Sequence, residues 1–302
     1  MYDVIIIGAG ASGITAAIYA ARANLKFEII SKDVGGLTLW SPDIENYTGY
    51  HNLSGIELIE KFKEHMNDYN IKIKEESVKK IEKKENSYIV KTDDSEYETK
   101  TVIVCSGSSP RKLNVPGADK FEGKGIAYCA TCDGPLFAGK GTAVIGGGDS
   151  ALAAALTLMQ VVNKVYIINL TEKLTGTDKA LMEKVTKSDK VEVINNAKTL
   201  EIFGDRFVSG LKYEQHGSEK KLNVQGVFVE IGHVRNIDFV KDLVNVNEKN
   251  EIIVDKRGAT SASGIFAAGD VTDLPGKQTT IACGDGSRAL LSAFAYISKR
   301  RG

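Results

Sequence analysis

The chain has 302 residues, enough for two domains on the usual size range. Hydrophobic residues make up 42% and charged residues 26%, a balance that excludes disordered and fibrous classes. Formal net charge is zero and there are four cysteines, so neither a nucleic-acid or anionic-membrane partner nor a disulfide framework is implied.

Residues 1–31 read as one βαβ unit. A fully apolar strand over residues 4–7 runs into Gly8-Ala9-Gly10-Ala11-Ser12-Gly13. An alanine-rich helix over 14–22 and a second strand over 27–30 follow. This is the dinucleotide fingerprint with a strand before it and a helix after it. Gly8 allows the tight turn, Gly10 lets the backbone reach a pyrophosphate, and Gly13 packs helix on strand. The acid expected at the end of the second strand is replaced by Ser31, which can still hydrogen-bond a ribose without charge. The N-terminus shows no positive region and no cleavage site, so no signal peptide is expected. No apolar run reaches ~18 residues, so no membrane span is expected and the reading is cytoplasmic.

Residues 35–50 form a loop rich in glycine and aromatics. A helix over 55–70 carries Ile56, Ile59, Phe62 and Met66 on one face. Residues 71–104 alternate as short strands, with a solvated Lys/Glu run over 72–85. A buried strand over 102–105 ends at Ser106-Gly107, with Cys105 as a core thiol. Pro110 and Pro116 flank a hinge near residues 113–115.

Tyr128-Cys129-Ala130-Thr131-Cys132-Asp133-Gly134 comes next. Two thiols separated by two residues can close a short disulfide ring and work as a redox couple, and Asp133 can shuttle a proton. The alternative is half of a zinc site, for which Cys105 and Cys283 supply no second pair. None of the four histidines has ligand spacing, so no metal is assigned. A second βαβ unit follows: a strand over 142–145, the turn Gly146-Gly147-Gly148-Asp149-Ser150-Ala151, a helix to about Met159 and a strand over 164–168. Further strands are predicted over 190–194, 199–203, 208–213 and 227–231. Residues 232–236 read as a return crossing, and residues 252–255 as an apolar lead-in. Gly264-Ile265-Phe266-Ala267-Ala268-Gly269-Asp270-Val271 presents an acid at the end of an apolar strand, where α/β sheets bind ligands. The last helix is predicted over 286–298, with Cys283 core-facing. The basic tail Lys299-Arg300-Arg301 closes the chain.

The two glycine motifs, Cys129-Ala130-Thr131-Cys132-Asp133 between them and the segment ending at Asp270 together resemble low-molecular-weight thioredoxin reductases. The likeness extends to Tyr19-Ala20-Ala21-Arg22-Ala23-Asn24-Leu25 and Ile44-Glu45-Asn46-Tyr47. It implies an α/β fold of two Rossmann-like, three-layer ββα domains of the flavoprotein disulfide reductase type. The FAD-binding domain would take residues 1–112 plus 235–302, and an NAD(P)-binding-like domain carrying the cysteines would take 113–234. FAD would lie on Gly8, Gly10, Ala11, Ser12 and Gly13. Ser31, Gly36, Leu37 and Asn46 would line the flavin side, and Asp270, Gln278 and Thr279 would close over it. Cys132 would face the flavin and Cys129 would attack a thioredoxin disulfide; the residues themselves do not order the two. A homodimer and a domain rotation are also implied.

One departure is informative. Family members that use NADPH carry His-Arg-Arg and a further Arg after the second strand of the second domain, and these clasp the 2′-phosphate bidentately. The matching positions here are Asn169, Leu170, Thr171 and Thr175. Each lost charged hydrogen bond removes about 1.5–3 kcal/mol, so NADPH binding should weaken by on the order of a thousandfold. Lys173 or Lys179 could compensate only as point charges. NADH would want an acid where Asn169 stands. The vacant positions look like the branch of the family that takes electrons from reduced ferredoxin. An acidic ferredoxin would need a basic surface, for which Lys79-Lys80 and residues 299–301 are candidates. Rival readings are a reductase of a peroxiredoxin-type partner, whose extra N-terminal module is not expected here, and a non-catalytic flavin-binding redox sensor.

Overall fold

A computed structural model describes residues 1–41 and 44–300. The chain divides into two compact units: Met1–Ser109 with Val234–Gly302, and Pro110–His233.

The first unit is built on a seven-stranded sheet. Strand Tyr2–Ala9 sits between Phe27–Val34 and Glu96–Val104, parallel to both. Side chains alternate across a strand, so successive apolar residues must both find cover. Val4 and Ile6 pack with helices Ala11–Arg22 and Thr279–Lys299, while Ile5 and Ile7 pack with Ile81, Val90, Ile237 and Val240 on the other face. That two-sided burial is why residues 4–7 read as an unbroken apolar run. Strand Glu96–Val104 is shared along its length. Its first half pairs antiparallel with Tyr88–Thr92, and its second half pairs parallel with Ile265–Ala267. Helix Gly55–Asp68 opens on a capping box in which Ser54 and Glu57 satisfy each other's backbone N–H groups.

The second unit repeats the plan. A five-stranded sheet places Gly141–Ile145 between Lys164–Ile168 and Gly226–Val229, all parallel. Val144 packs toward helix Asp149–Leu158, and Ala143 and Ile145 pack toward the antiparallel strands Ala197–Gly204 and Val208–Gln215. The two-domain α/β architecture expected from the sequence is therefore the one that forms.

Several elements differ from expectation. The last helix starts at Thr279, not 286, and runs through Gly284 and Gly286. A Cβ at Gly286 would lie 2.0 Å from the backbone oxygen of Ser12, so close helix packing demands glycine there and outweighs its poor helix propensity. Residues 252–255 make only isolated bridges, from Ile252 to Val246 and Thr272. The strand expected over 227–231 ends at Val229. Part of the glycine-rich loop is a 3-10 turn, Gly36–Trp40. Strand Ser218–Leu222 and helix Lys179–Thr186, N-capped by Asp178, were not anticipated. No helix among the described residues is long and apolar enough to cross a membrane.

Glu251 ties the returning segment of the first unit together. It is buried and takes Arg235 at 2.7 Å, Lys277 at 3.6 Å and Asn247 at 2.9 Å. Burial alone would raise its carboxyl; the hydrogen bonds from Asn247 and Arg235 and the Lys277 charge outweigh that and hold it below the ordinary value.

Candidate functional site

In the first unit the chain passes from strand to helix through Gly10, the extended N-cap, and no side chain among the described residues caps the first N–H groups. Those donors and the positive end of the helix dipole are left for another partner. The three glycines differ in what surrounds them. A Cβ at Gly8, where φ is +104°, would lie 2.3 Å from the Cys105 carbonyl oxygen, and one at Gly13 would lie 1.8 Å from that of Gly8. A Cβ at Gly10 would meet nothing within 4 Å. Two glycines serve close packing, and the third opens space above uncapped amides. That arrangement fits a pyrophosphate.

Other expected site residues gather nearby. Ala11 and Ser12 are buried in the first helical turn, and Gly269 packs against the Ser12 side chain. Gly36, followed by Leu37, lies against Gly10: a Cβ at Gly36 would stand 3.6 Å from the Gly10 Cα. The Asn46 amide donates to the Gln278 side-chain oxygen at 2.8 Å, and the hydroxyls of Thr38 and Thr279 are 3.1 Å apart. Asp270 follows strand Ile265–Ala267, and no hydrogen bond from the described residues reaches its carboxylate. Ser31 differs from expectation: its hydroxyl donates to the Asp33 carbonyl at 2.6 Å, leaving only its lone pairs for a ribose. Cys105 is a core thiol, pushed up to about 12 by burial. Cys283 is only partly buried, with the Tyr47 hydroxyl 3.8 Å from its sulfur.

In the second unit Cys129 and Cys132 are joined as a disulfide, with Cα atoms 5.4 Å apart. Among the described residues no cluster of His, Cys, Asp or Glu could hold a metal. Cys129 is the N-cap of the short helix Ala130–Asp133, and its sulfur accepts the Cys132 N–H at 3.1 Å. Cys129 is buried and Cys132 exposed. Burial raises the Asp133 carboxyl above its usual range, which suits a group that holds and releases a proton.

A cavity of about 660 Å³ opens beside the second glycine turn, lined by Gly146 to Ser150, Asn169, Thr171, Thr175, Thr199 and Glu230 among others. Asn169 stands where a nucleotide's ribose would be read. Its amide nitrogen donates to the Thr171 carbonyl at 2.9 Å and to Asn195 at 2.8 Å, and its oxygen accepts from the Thr171 hydroxyl at 3.2 Å. A Cβ on Gly147 would lie 2.1 Å from that oxygen, so Asn169 packs directly on the turn. The following loop folds back: the Thr175 N–H donates to the Gly147 carbonyl at 2.7 Å, and Asp149 accepts from Thr177 and Asp178. Of the cavity's lining residues only Lys198 is basic, and it was not singled out by sequence, nor were Thr199 and Glu230.

A cysteine couple carried on one of two glycine-turn α/β units is the arrangement of flavoprotein disulfide oxidoreductases. The chain belongs to the pyridine nucleotide-disulphide oxidoreductase family, whose model matches residues 2–286. The fold is that of thioredoxin reductase structures. The crystal structure of Lactococcus lactis thioredoxin reductase superposes with a TM-score of 0.91 at 34% identity, covering 99% of this chain and all of that one. A ferredoxin-flavin thioredoxin reductase from Clostridium acetobutylicum is also 34% identical, with a TM-score of 0.57, covering 99% of this chain and 98% of that one. A curated relative from Bacillus subtilis, a NADH dehydrogenase, is 40% identical over 299 residues. Those residues are 98% of this chain but 58% of that protein, so the chain spans about three-fifths of its length. Members of the family are FAD flavoproteins, and FAD is the cofactor the first glycine turn fits.

Proposed function

We propose that the chain is an FAD-dependent disulfide reductase that reduces a thioredoxin. Bound FAD would supply the two-electron redox chemistry that links a donor to a disulfide. The uncapped amides after Gly10 hold its pyrophosphate, and Asp270, Asn46, Gln278 and Thr279 orient the rest. The Cys129–Cys132 disulfide opens to two thiols on gaining two electrons and two protons. A Cys129 thiolate keeps the Cys132 N–H as its donor, which stabilises the negative sulfur and makes it the attacking one. It displaces one sulfur of the partner disulfide; Cys132 then displaces Cys129, reforming the internal bond and releasing the partner as a dithiol. Asp133 is the group that supplies or takes the proton.

Reduced ferredoxin is the donor this reading favours. The observation that carries it is Asn169: its amide makes three hydrogen bonds to the protein, and the basic residue that lines the cavity, Lys198, is a point charge without the bidentate fork of an arginine clasp. At the candidate surface Lys79-Lys80, Lys79 pairs with Asp93 at 3.0 Å and Lys80 with Glu82 at 3.2 Å, so acidic neighbours offset part of the charge while both lysines stay exposed. Arg300 stacks on Tyr296, and Arg301 lies outside the described residues. A second reading, NADH as donor, is favoured by the cavity that remains beside Gly146 to Ser150. The test is anaerobic bleaching of the flavin band, followed by counting thioredoxin thiols. Reduced ferredoxin should bleach it within seconds and one equivalent of NADPH should not. Rapid bleaching by NADH selects the second reading, and rapid bleaching by NADPH removes both.

We also propose a homodimer. Tyr19, Leu291 and Phe294 expose apolar surface on the packed helices Ala11–Arg22 and Thr279–Lys299. Sedimentation should give a species of twice the 32.6 kDa chain, and Leu291→Asp should halve it. A wild-type monomer at micromolar concentration would end this reading.

A further inference from the structure

The second unit's cavity is bordered by two polar groups that the proposed electron path does not use. It sits at the C-terminal ends of parallel strands, between Gly141–Ile145 and Gly226–Val229, where the strand order switches direction. Thr199 lines it and is only 8% exposed, yet its buried hydroxyl has no hydrogen-bond partner among the described residues. A buried hydroxyl is nearly always paired, so this one is unusual, but its oxygen has essentially no surface open to the cavity and it stands behind the wall rather than facing a ligand.

Glu230 is the second. It follows the last residue of strand Gly226–Val229, and its N–H donates to the Ile145 carbonyl at 2.8 Å. Its own carbonyl packs over the first glycine of the turn, where a Cβ on Gly146 would lie 2.2 Å away. The side chain is therefore anchored next to the turn that would cradle phosphates. No hydrogen bond from the described residues reaches its carboxylate, and burial pushes it up to about 7. The other charged groups around it are distinct. Asp149 is bonded to Thr177 and Asp178, and Lys198 is exposed. Arg111 and Lys112 lead into Leu113 at the cavity wall, and His233 follows Gly232.

We propose that Glu230 couples occupancy of this cavity by a dinucleotide lacking a 2′-phosphate to one proton: the neutral carboxyl admits the diphosphate and the carboxylate repels it. This rests on the second reading, in which the cavity is a dinucleotide seat. The sign follows from the charges. Below pH 7 Glu230 is neutral and binding is strongest; as pH rises the carboxylate forms beside a diphosphate that is ionised throughout, and binding weakens. If only the protonated form binds, affinity falls about tenfold between pH 6 and pH 8.

The probe is NAD⁺, which carries the same diphosphate and cannot reduce the flavin. Calorimetry on the holoenzyme at pH 6, 7 and 8, in buffers of different ionisation enthalpy, measures affinity and proton uptake together. Wild type should show the tenfold decline and take up about half a proton per ligand at pH 7. Glu230→Gln should bind with pH-independent affinity and no proton uptake. Thr199→Val, which removes a hydroxyl closed off from the cavity, should keep both the affinity and the slope, a control that general loss of structure would not pass. A flat wild-type profile, or a slope that survives in Glu230→Gln, overturns the role of Glu230 and leaves the seat standing. No binding at pH 6 overturns the inference and the second reading together, and leaves ferredoxin as donor.

Discussion

Cys132→Ser is expected to stop thioredoxin reduction, roughly a thousandfold or more below wild type, while the flavin still accepts electrons from its donor. The two halves of that result test different links. Electron entry involves the first unit's cofactor and needs neither sulfur. Delivery needs both, because a single thiol can form a mixed disulfide but cannot resolve it. In the structure two observations bear on which sulfur attacks. Residue exposure favours Cys132, which is exposed while Cys129 is buried. The hydrogen bond favours Cys129, whose sulfur accepts the Cys132 N–H at 3.1 Å. Nucleophilic strength depends on thiolate population, so the hydrogen bond is the stronger argument. Cys132→Ser should therefore trap thioredoxin as a stable mixed disulfide through Cys129, seen as a shifted band on non-reducing electrophoresis. Cys129→Ser should be as inactive and trap far less. Trapping confined to Cys129→Ser would reverse the order, and normal turnover by either variant would remove the couple from the mechanism.

The parts of the fold that were legible in the sequence are those where local pattern and burial agree. Residues 4–7 are apolar on both faces because both faces are covered, and the turn at residues 8–13 is glycine where backbone meets backbone. The cysteine pair was legible because its spacing alone permits the ring. What was hidden depended on contacts far along the chain. The sequence places the start of the last helix at residue 286 because Gly284 and Gly286 weaken helix propensity; the Ser12 carbonyl pressed against Gly286 explains that glycine, while a Cβ at Gly284 would meet nothing within 4 Å. Strand Ser218–Leu222 is exposed and charged, so no apolar alternation marks it. Its one local signal is the two-residue turn His216-Gly217, both with positive φ, 52° and 75°. Glu230 falls inside the strand expected over 227–231, which hides it, whereas the strand itself ends at Val229. An acid at the C-terminal end of an apolar strand is the pattern that singled out Asp270, and it could have singled out Glu230, which directly follows Gly226–Val229. Nothing local marks Thr199, whose unpaired hydroxyl is closed off behind the cavity wall.

Two single methyl groups should separate the cofactor's seat from the fold that holds it. Gly13→Ala places a Cβ 1.8 Å from the Gly8 carbonyl oxygen, which is backbone and cannot rotate away. Helix and turn must move apart, at about 1–3 kcal/mol or more, so the apoprotein itself should melt several degrees lower. Gly10→Ala is the opposite case. Gly10 has φ −79° and ψ −171°, which any residue adopts, and its Cβ would meet nothing within 4 Å. The apoprotein should lose at most about 1 kcal/mol, the difference between glycine and alanine at an N-cap. The new methyl would, however, occupy the space through which a pyrophosphate approaches the uncapped amides. FAD affinity should fall on the order of a hundredfold, and the purified protein should lose its yellow colour on dialysis while keeping its apoprotein melting temperature. Thioredoxin reduction would fall with FAD content and return when excess FAD is added. Full retention of FAD by Gly10→Ala would mean that the cofactor's phosphates do not rest on this turn, and the assignment of Gly8, Gly10, Ala11, Ser12 and Gly13 to its binding would fall with it.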